Sequence, residues 1–178
     1  LTITEPAVLS AHINSTNVTC FGANNGIITI TSPTGGYGTY EYSKDGGIIW
    51  QASGTFAGLA PASYSVAIRD KAHTGCVIIF NPAITITAPA VLSATVSSSN
   101  VTCFGANNGT MTISNPLGGY GTYSYTINGG ATWQSSGSFT NLAPNSYNVR
   151  IRDAANIACE IALNPALVIT QPAVLSAT

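Results

Sequence analysis

FAGLAPASYSVAIRD, from Phe56 to Asp70, returns as FTNLAPNSYNVRIRD from Phe139 to Asp153. In each copy a Leu-Ala-Pro turn leads through a tyrosine, Tyr64 or Tyr147, into an alternating run. In the second copy Tyr147, Val149 and Ile151 fall on one face, and Asn148, Arg150 and Arg152 on the other. Period-2 alternation marks a strand with one buried face. The proline stands ahead of the run, where its missing N–H takes nothing from the ladder. Helical periodicity is nearly absent from the chain, whereas such alternation recurs between turn clusters, so the fold class is all-β.

The offset between the two runs, 139 − 56 = 83, holds for the whole chain. PAVLSA stands at Pro6, Pro89 and Pro172, VTCFGANNG contains Cys20 and then Cys103, and GGYGTY contains Tyr37 and then Tyr120. No gap is needed, and 51 of 83 aligned positions are identical. The organisation is therefore the tail of a preceding repeat over 1–5, repeat 1 over 6–88, repeat 2 over 89–171, and the start of a following repeat over 172–178. The chain reads as a segment of a longer array.

Within repeat 2, Leu92, Ala94 and Val96 alternate with Ser93, Thr95 and Ser97, and Met111 and Ile113 follow the Asn108-Gly109 turn. Tyr123, Tyr125 and Ile127 run up to Asn128-Gly129-Gly130, a strong tight-turn signal. Shorter segments surround Trp133 and Phe139, and a last strand from Cys159 to Thr170 is expected to bulge at Asn164-Pro165. About seven short strands in one such unit indicate an antiparallel β-sandwich of immunoglobulin or fibronectin-III style. The LAPxSY step resembles the corner of fibronectin-like domains, which implies that Tyr64 and Tyr147 bond back to upstream backbone. Between repeats, Ile86-Thr87-Ala88-Pro89-Ala90-Val91 leaves almost no linker, and Pro89 restricts its own φ and the residue before it. Tandem sandwiches laid end to end are the expected arrangement.

Only 6% of residues are charged, with a formal net charge of −1, against about 25% charged in ordinary globular proteins. Such a chain offers no footprint for nucleic acid and no basic face for anionic membrane. Its apolar stretches, such as Cys76 to Phe80, fall far short of the ~20 residues of a membrane-spanning helix. Solubility rests on Ser, Thr and Asn, either as an ordinary secreted β protein or as a surface that packs laterally against copies of itself.

The four cysteines occur two per repeat, Cys20 with Cys76 and Cys103 with Cys159, 56 residues apart in both cases. Without a CxxC or a nearby histidine they lack the clustering of a zinc site. One disulfide inside each repeat, Cys20–Cys76 and Cys103–Cys159, is the natural expectation, placing the protein outside the cytoplasm. Buried free thiols in a reducing compartment are the alternative.

Comparing the copies tests every other candidate, because a residue that changes between them carries no duty common to both. His12 and His73 align with Thr95 and Asn156, and the carboxylate pair Glu41 and Asp45 with Ser124 and Asn128. Lys44 and Lys71 align with Ile127 and Ala154, which removes a general lysine crosslink. Asp70 and Asp153 are the shared acids. One carboxylate per repeat suits a turn cap better than a calcium site, which takes several oxygen ligands. The GGYG loop precedes no helix and so is no phosphate cradle. Neither catalytic residues, nor a metal site, nor a cofactor is expected. Aromatic side chains offer the candidate contact surface, Tyr37 and Trp50 matched by Tyr120 and Trp133; core packing, lateral contacts and glycan stacking all remain open to them.

A tandem unit with VTCFGANNG near its start, a GGYGTY loop, a Tyr-x-Tyr strand, the corner LAPxSYxVxIRD, a second cysteine soon after and an ITxP joint resembles the SprB repeat. The resemblance runs through both repeats from end to end. It implies the shaft of a giant cell-surface adhesin of gliding Bacteroidota, extracellular and attached at the outer membrane. Its expected partners are further repeats of the same chain and laterally associated shafts in filaments, with surface or glycan targets elsewhere in the protein. No catalytic residues come with it. The rival is a carbohydrate-binding module array of a secreted polysaccharide-degrading protein.

The short joint generates an expectation for solution scattering. Two sandwiches of this size laid end to end span about 70 to 80 Å, from strand rise and ordinary strand length. A compact side-by-side pair would contradict it.

Overall fold

The computed structural model describes residues 5–176. Most of the upstream tail (1–4) and the last two residues of the downstream start (177–178) lie outside the described residues. The chain divides between Ala88 and Pro89 into two compact units, each taken by itself.

Unit 1 contains β1 (Ser10–Thr16), β2 (Gly26–Thr34), β3 (Tyr40–Ser43), β4 (Thr55–Leu59), β5 (Ala62–Tyr64), β6 (Ala67–Asp70), β7 (Val77–Ile79) and β8 (Ile84–Ile86). One sheet has the order β1-β2-β4 and the other β3-β6-β7, with β5 paired to β8. Unit 2 contains β9 (Ser93–Ser99), β10 (Gly109–Leu117), β11 (Tyr123–Thr126), β12 (Ser138–Leu142), β13 (Asn145–Asp153) and β14 (Glu160–Ile169). Its sheets run β9-β10-β12 and β11-β13-β14, so single strands β13 and β14 do the work of β5 with β6 and of β7 with β8. These ladders are antiparallel. The described residues contain no helix, and the architecture is the expected sandwich.

The proline late in each unit acts differently in the two copies. The cis Asn81-Pro82 peptide separates β7 from β8. In unit 2, β14 continues through Asn164-Pro165, and its pairing with β13 slips on both sides of Val149. Each slip absorbs one extra residue of β14 as a bulge.

Alternation decides what is buried. From the first sheet of unit 1, Ile28 and Ile30 of β2 and Phe56 and Leu59 of β4 point inward, meeting Tyr42, Val66 and Ile68 from the second. Leu9, Val18 and Ile86 close this cluster. Unit 2 buries Met111, Ile113 and Leu142 with Tyr125, Val149, Ile151 and Ile169. Full burial of each large aliphatic contributes roughly 1.5–3 kcal/mol, and these side chains come from both sheets, so burial holds the layers together.

Two tyrosine hydroxyls per unit fix the chain reversals. Tyr64 donates to the Ala60 carbonyl at 2.9 Å and Tyr147 to that of Ala143 at 2.8 Å, the expected corner. Tyr40 donates to Gly35 and Tyr123 to Gly118, both at 2.8 Å. Gly35 and Gly118 have φ of 82° and 83°, and their α-carbons face the carbonyls of Val8 and Val91 so closely that no Cβ fits.

Each unit has a direction. Unit 1 begins where Gly36 N–H donates to the Ala7 carbonyl, and ends where Val18 N–H donates to the Thr87 carbonyl. Asn17 Oδ1 accepts from the Thr87 amide at that second pole. Unit 2 repeats both ends, with Gly119 N–H on Ala90 and Val101 N–H on Thr170, and Thr170 N–H on Asn100 Oδ1. An upstream pole thus carries the GGYG loop, and a downstream pole carries the VTCFGANNG loop.

Replacing Ile151, fully buried, by alanine is expected to cost about 2–5 kcal/mol. Tyr147→Phe, which loses one hydrogen bond, should cost about 1 kcal/mol. Chemical denaturation of the two variants beside the parent chain tests this ranking.

Candidate functional site

The shared aspartates sit under the GGYG loops. The Asp70 carboxylate accepts from the Tyr37 amide at 2.5 Å, the Ala72 amide at 2.8 Å and the His73 amide at 3.0 Å. Asp153 does the same for Tyr120, Ala155 and Asn156. Both residues are buried. The Tyr37 amide is the chief cause holding the Asp70 carboxyl below the usual carboxylate range; burial opposes it, and the His73 and Ala72 amides and the His73 imidazole add to it. Three amides per carboxylate make these residues anchors tying the loop to the end of β6 or β13.

The candidate carboxylate pair separates into two structural roles. Glu41 is ion-paired with Arg69, Nη2 to Oε2 2.6 Å. Asp45 accepts from Ser43 Oγ at 2.7 Å and from the Ile48 and Ile49 amides at 3.1 and 2.9 Å. In unit 2 Thr126 Oγ1 and Asn128 Oδ1 rebuild that turn at 2.6 Å, so the chemistry of the turn survives the loss of charge.

The aromatics divide by face. Tyr42 and Tyr125 are core residues. Trp50 and Trp133 are half-buried, and a guanidinium covers each ring: Arg69 Cζ lies 4.4 Å from the Trp50 ring centre and Arg152 Cζ 4.3 Å from that of Trp133. Stacking of this kind holds indole and arginine together on the outer face of the second sheet. The Trp133 Nε1–H donates to the Gly130 carbonyl at 3.0 Å. Tyr37 and Tyr120 are 57% and 51% exposed, and the His73 ring lies 3.9 Å from that of Tyr37. The arginine covers went unread in the sequence, although Arg69 and Arg152 are shared by the copies.

The cysteines correct an expectation. Cys20 and Cys159 are disulfide-bonded, whereas Cys76 and Cys103 are free thiols. The pairs Cys20–Cys76 and Cys103–Cys159 are therefore not formed. The reason lies in the direction of each unit. Cys76 is at the upstream pole, its N–H donating to His73 and its carbonyl accepting from Asp70 N–H, and it lines a shallow apolar cavity with Pro6, Ala7, Val8, Leu9 and Gly36. Cys20 is at the downstream pole, two residues past Val18, where its carbonyl accepts from the Ala23 amide at 3.1 Å. The seven residues of β1 run between these poles, about 20 Å at strand rise, while disulfide α-carbons lie within about 7 Å of each other. Unit 2 is alike: Cys159 beside Asp153, Cys103 beside Pro172 and Ala173.

The family model for the SprB repeat matches residues 13–47 and residues 95–132, one match in each unit. Each unit thus contains a segment similar to the SprB repeat. No curated protein and no solved structure matches it.

The lowered Asp70 pKa gives a pH dependence of known sign. Its carboxylate stabilises unit 1 fully above the unfolded pKa near ~3.9, and that contribution is lost as pH falls through the depressed folded value. Thermal melts between pH 6 and pH 2 should show a stability loss that is smaller in Asp70→Asn, which already lacks the charge. An equally steep loss in that variant would remove Asp70 from the account.

Proposed function

We propose that these repeats are shaft segments of an extracellular adhesin held at the bacterial cell surface, serving adhesion and gliding by carrying load and spacing. The observation that carries this reading is the pattern of identity between the copies. Shared positions are core residues, corner tyrosines, loop glycines and the buried aspartate, whereas histidines, lysines and most carboxylates differ. A surface repeated many times with its scaffold kept and its chemistry varied suits mechanical work better than catalysis. The SprB-repeat matches support a repeat region of a cell-surface protein.

Lateral association of shafts follows from the same surface. Few charges must be desolvated when Ser/Thr-rich faces meet, and weak contacts add along a repeating geometry. The covered faces of Trp50 and Trp133 speak against an open row of glycan-stacking platforms. The protein is no enzyme in this reading, and its adhesive target lies elsewhere in the molecule.

A purified chain tested by glycan array and by sedimentation over a concentration series decides between the readings. The expected outcome is no defined glycan bound, with weak concentration-dependent association. Micromolar binding to one glycan, abolished by joint Trp50→Ala and Trp133→Ala substitution in a folded protein, would establish the carbohydrate-binding array instead.

A further inference from the structure

We infer that unit 2 carries a binding site for a carboxylate on the outer face of its second sheet, with Arg152 as the receiving group. The inference rests on a comparison of the same face in the two copies and does not depend on the adhesin reading.

In unit 1 the corresponding arginine is satisfied from within. Glu41 lies opposite Arg69 in the β3–β6 ladder, and its Oε2 accepts from Arg69 Nε at 2.8 Å and lies 2.6 Å from Nη2. Unit 2 keeps this arrangement except for the acid. Arg152 covers Trp133 as Arg69 covers Trp50, but the residue opposite it in β11 is Ser124. Glu160, its neighbour on the other strand, is engaged with Arg150 Nη2 at 2.7 Å. Asp153, next in the chain, is buried and held by three amides.

Arg152 Nε is therefore buried without a hydrogen-bond partner. Among the described residues, the buried side-chain polar atoms in that condition are Asn148 Oδ1, Arg150 Nε and Arg152 Nε. All three belong to the outward row of β13, where unit 1 has Ser65, Ala67 and Arg69. Buried donors in folded proteins nearly always have an acceptor, and the guanidinium fork matches a carboxylate in both charge and shape. On this face of unit 2 two guanidiniums meet one carboxylate, whereas Arg69 and Glu41 balance in unit 1. The indole of Trp133 holds the Arg152 guanidinium in place, so little side-chain freedom is lost when an acid docks. Arg152 is half-buried, and part of the side chain faces water. The acid is either free in solution or a side chain of a second copy of the chain; the recognition chemistry is the same.

The test reads the Nε–H resonances of Arg69, Arg150 and Arg152, assigned by lysine-for-arginine substitution, as sodium acetate replaces sodium chloride at constant ionic strength. Arg152 should respond saturably, and Arg69, already paired, should not. Ser124→Glu, which builds the unit 1 pair into unit 2, should weaken the Arg152 response roughly tenfold or more. Glu41→Ser, the reverse exchange, should make Arg69 respond, circular dichroism verifying that both variants fold. An Arg152 that ignores acetate in the parent chain, one that responds equally in folded Ser124→Glu, or an Arg69 that stays silent in folded Glu41→Ser overturns the inference. Sedimentation of the parent and Ser124→Glu chains at low and high salt then identifies the source of the acid. Association that weakens with salt and is lost in Ser124→Glu assigns it to a second copy. Association equal in the two chains, or absent from both, assigns the acetate-responsive site to free acids, and the lateral-association reading stands or falls on the parent's sedimentation alone.

Discussion

A buried carboxylate under a glycine loop is the interaction on which each unit depends. Asp70 and Asp153 hold the GGYG turn through the Tyr37 or Tyr120 amide and the turn after β6 or β13 through two further amides. The glycine loop in turn accepts the incoming strand, with Gly36 on Ala7 and Gly119 on Ala90. A buried charge without such partners would be costly; with them it fixes three chain segments at one point. The upstream pole is built around it.

The downstream pole uses uncharged groups for the same purpose. Asn17 and Asn100 accept from the amides of Thr87 and Thr170, and the Asn25 and Asn108 side chains pin Thr19 and Thr102. Both poles thus bind main chain that enters or leaves their own unit. That is a physical reason for the chain to keep these loops while it varies the strand faces between copies.

Variation on those faces is tolerated where geometry supplies a substitute. Ser43 with Asp45 becomes Thr126 with Asn128 and the turn persists. Arg69 pairs with Glu41 in one unit, and Arg150 pairs with Glu160 at 2.7 Å in the other. The arginine over each tryptophan does not change. Ion pairs that stay partly in water, as both of these do, are worth little, so their relocation costs the fold little, whereas the indole–guanidinium stack covers apolar area in both copies.

Much of this was legible in the residues themselves. Alternation over Tyr147 to Ile151 set the strand and its inward face, the corner tyrosines declared their bonds, and the 83-residue period gave the unit. The sandwich follows because period-2 patterns bury one face and need a second sheet to bury it against. The cysteine pairing did not follow. A 56-residue spacing repeated in both copies carries no pairing information, since in a gapless repeat every position recurs at the same offset. Pairing depends on which pole each cysteine occupies, and that is fixed by the directions in which β1 and β6 cross the sandwich. Strand direction within a sheet is a property of the assembled topology, so only the tertiary structure placed Cys20 and Cys76 at opposite ends of their unit.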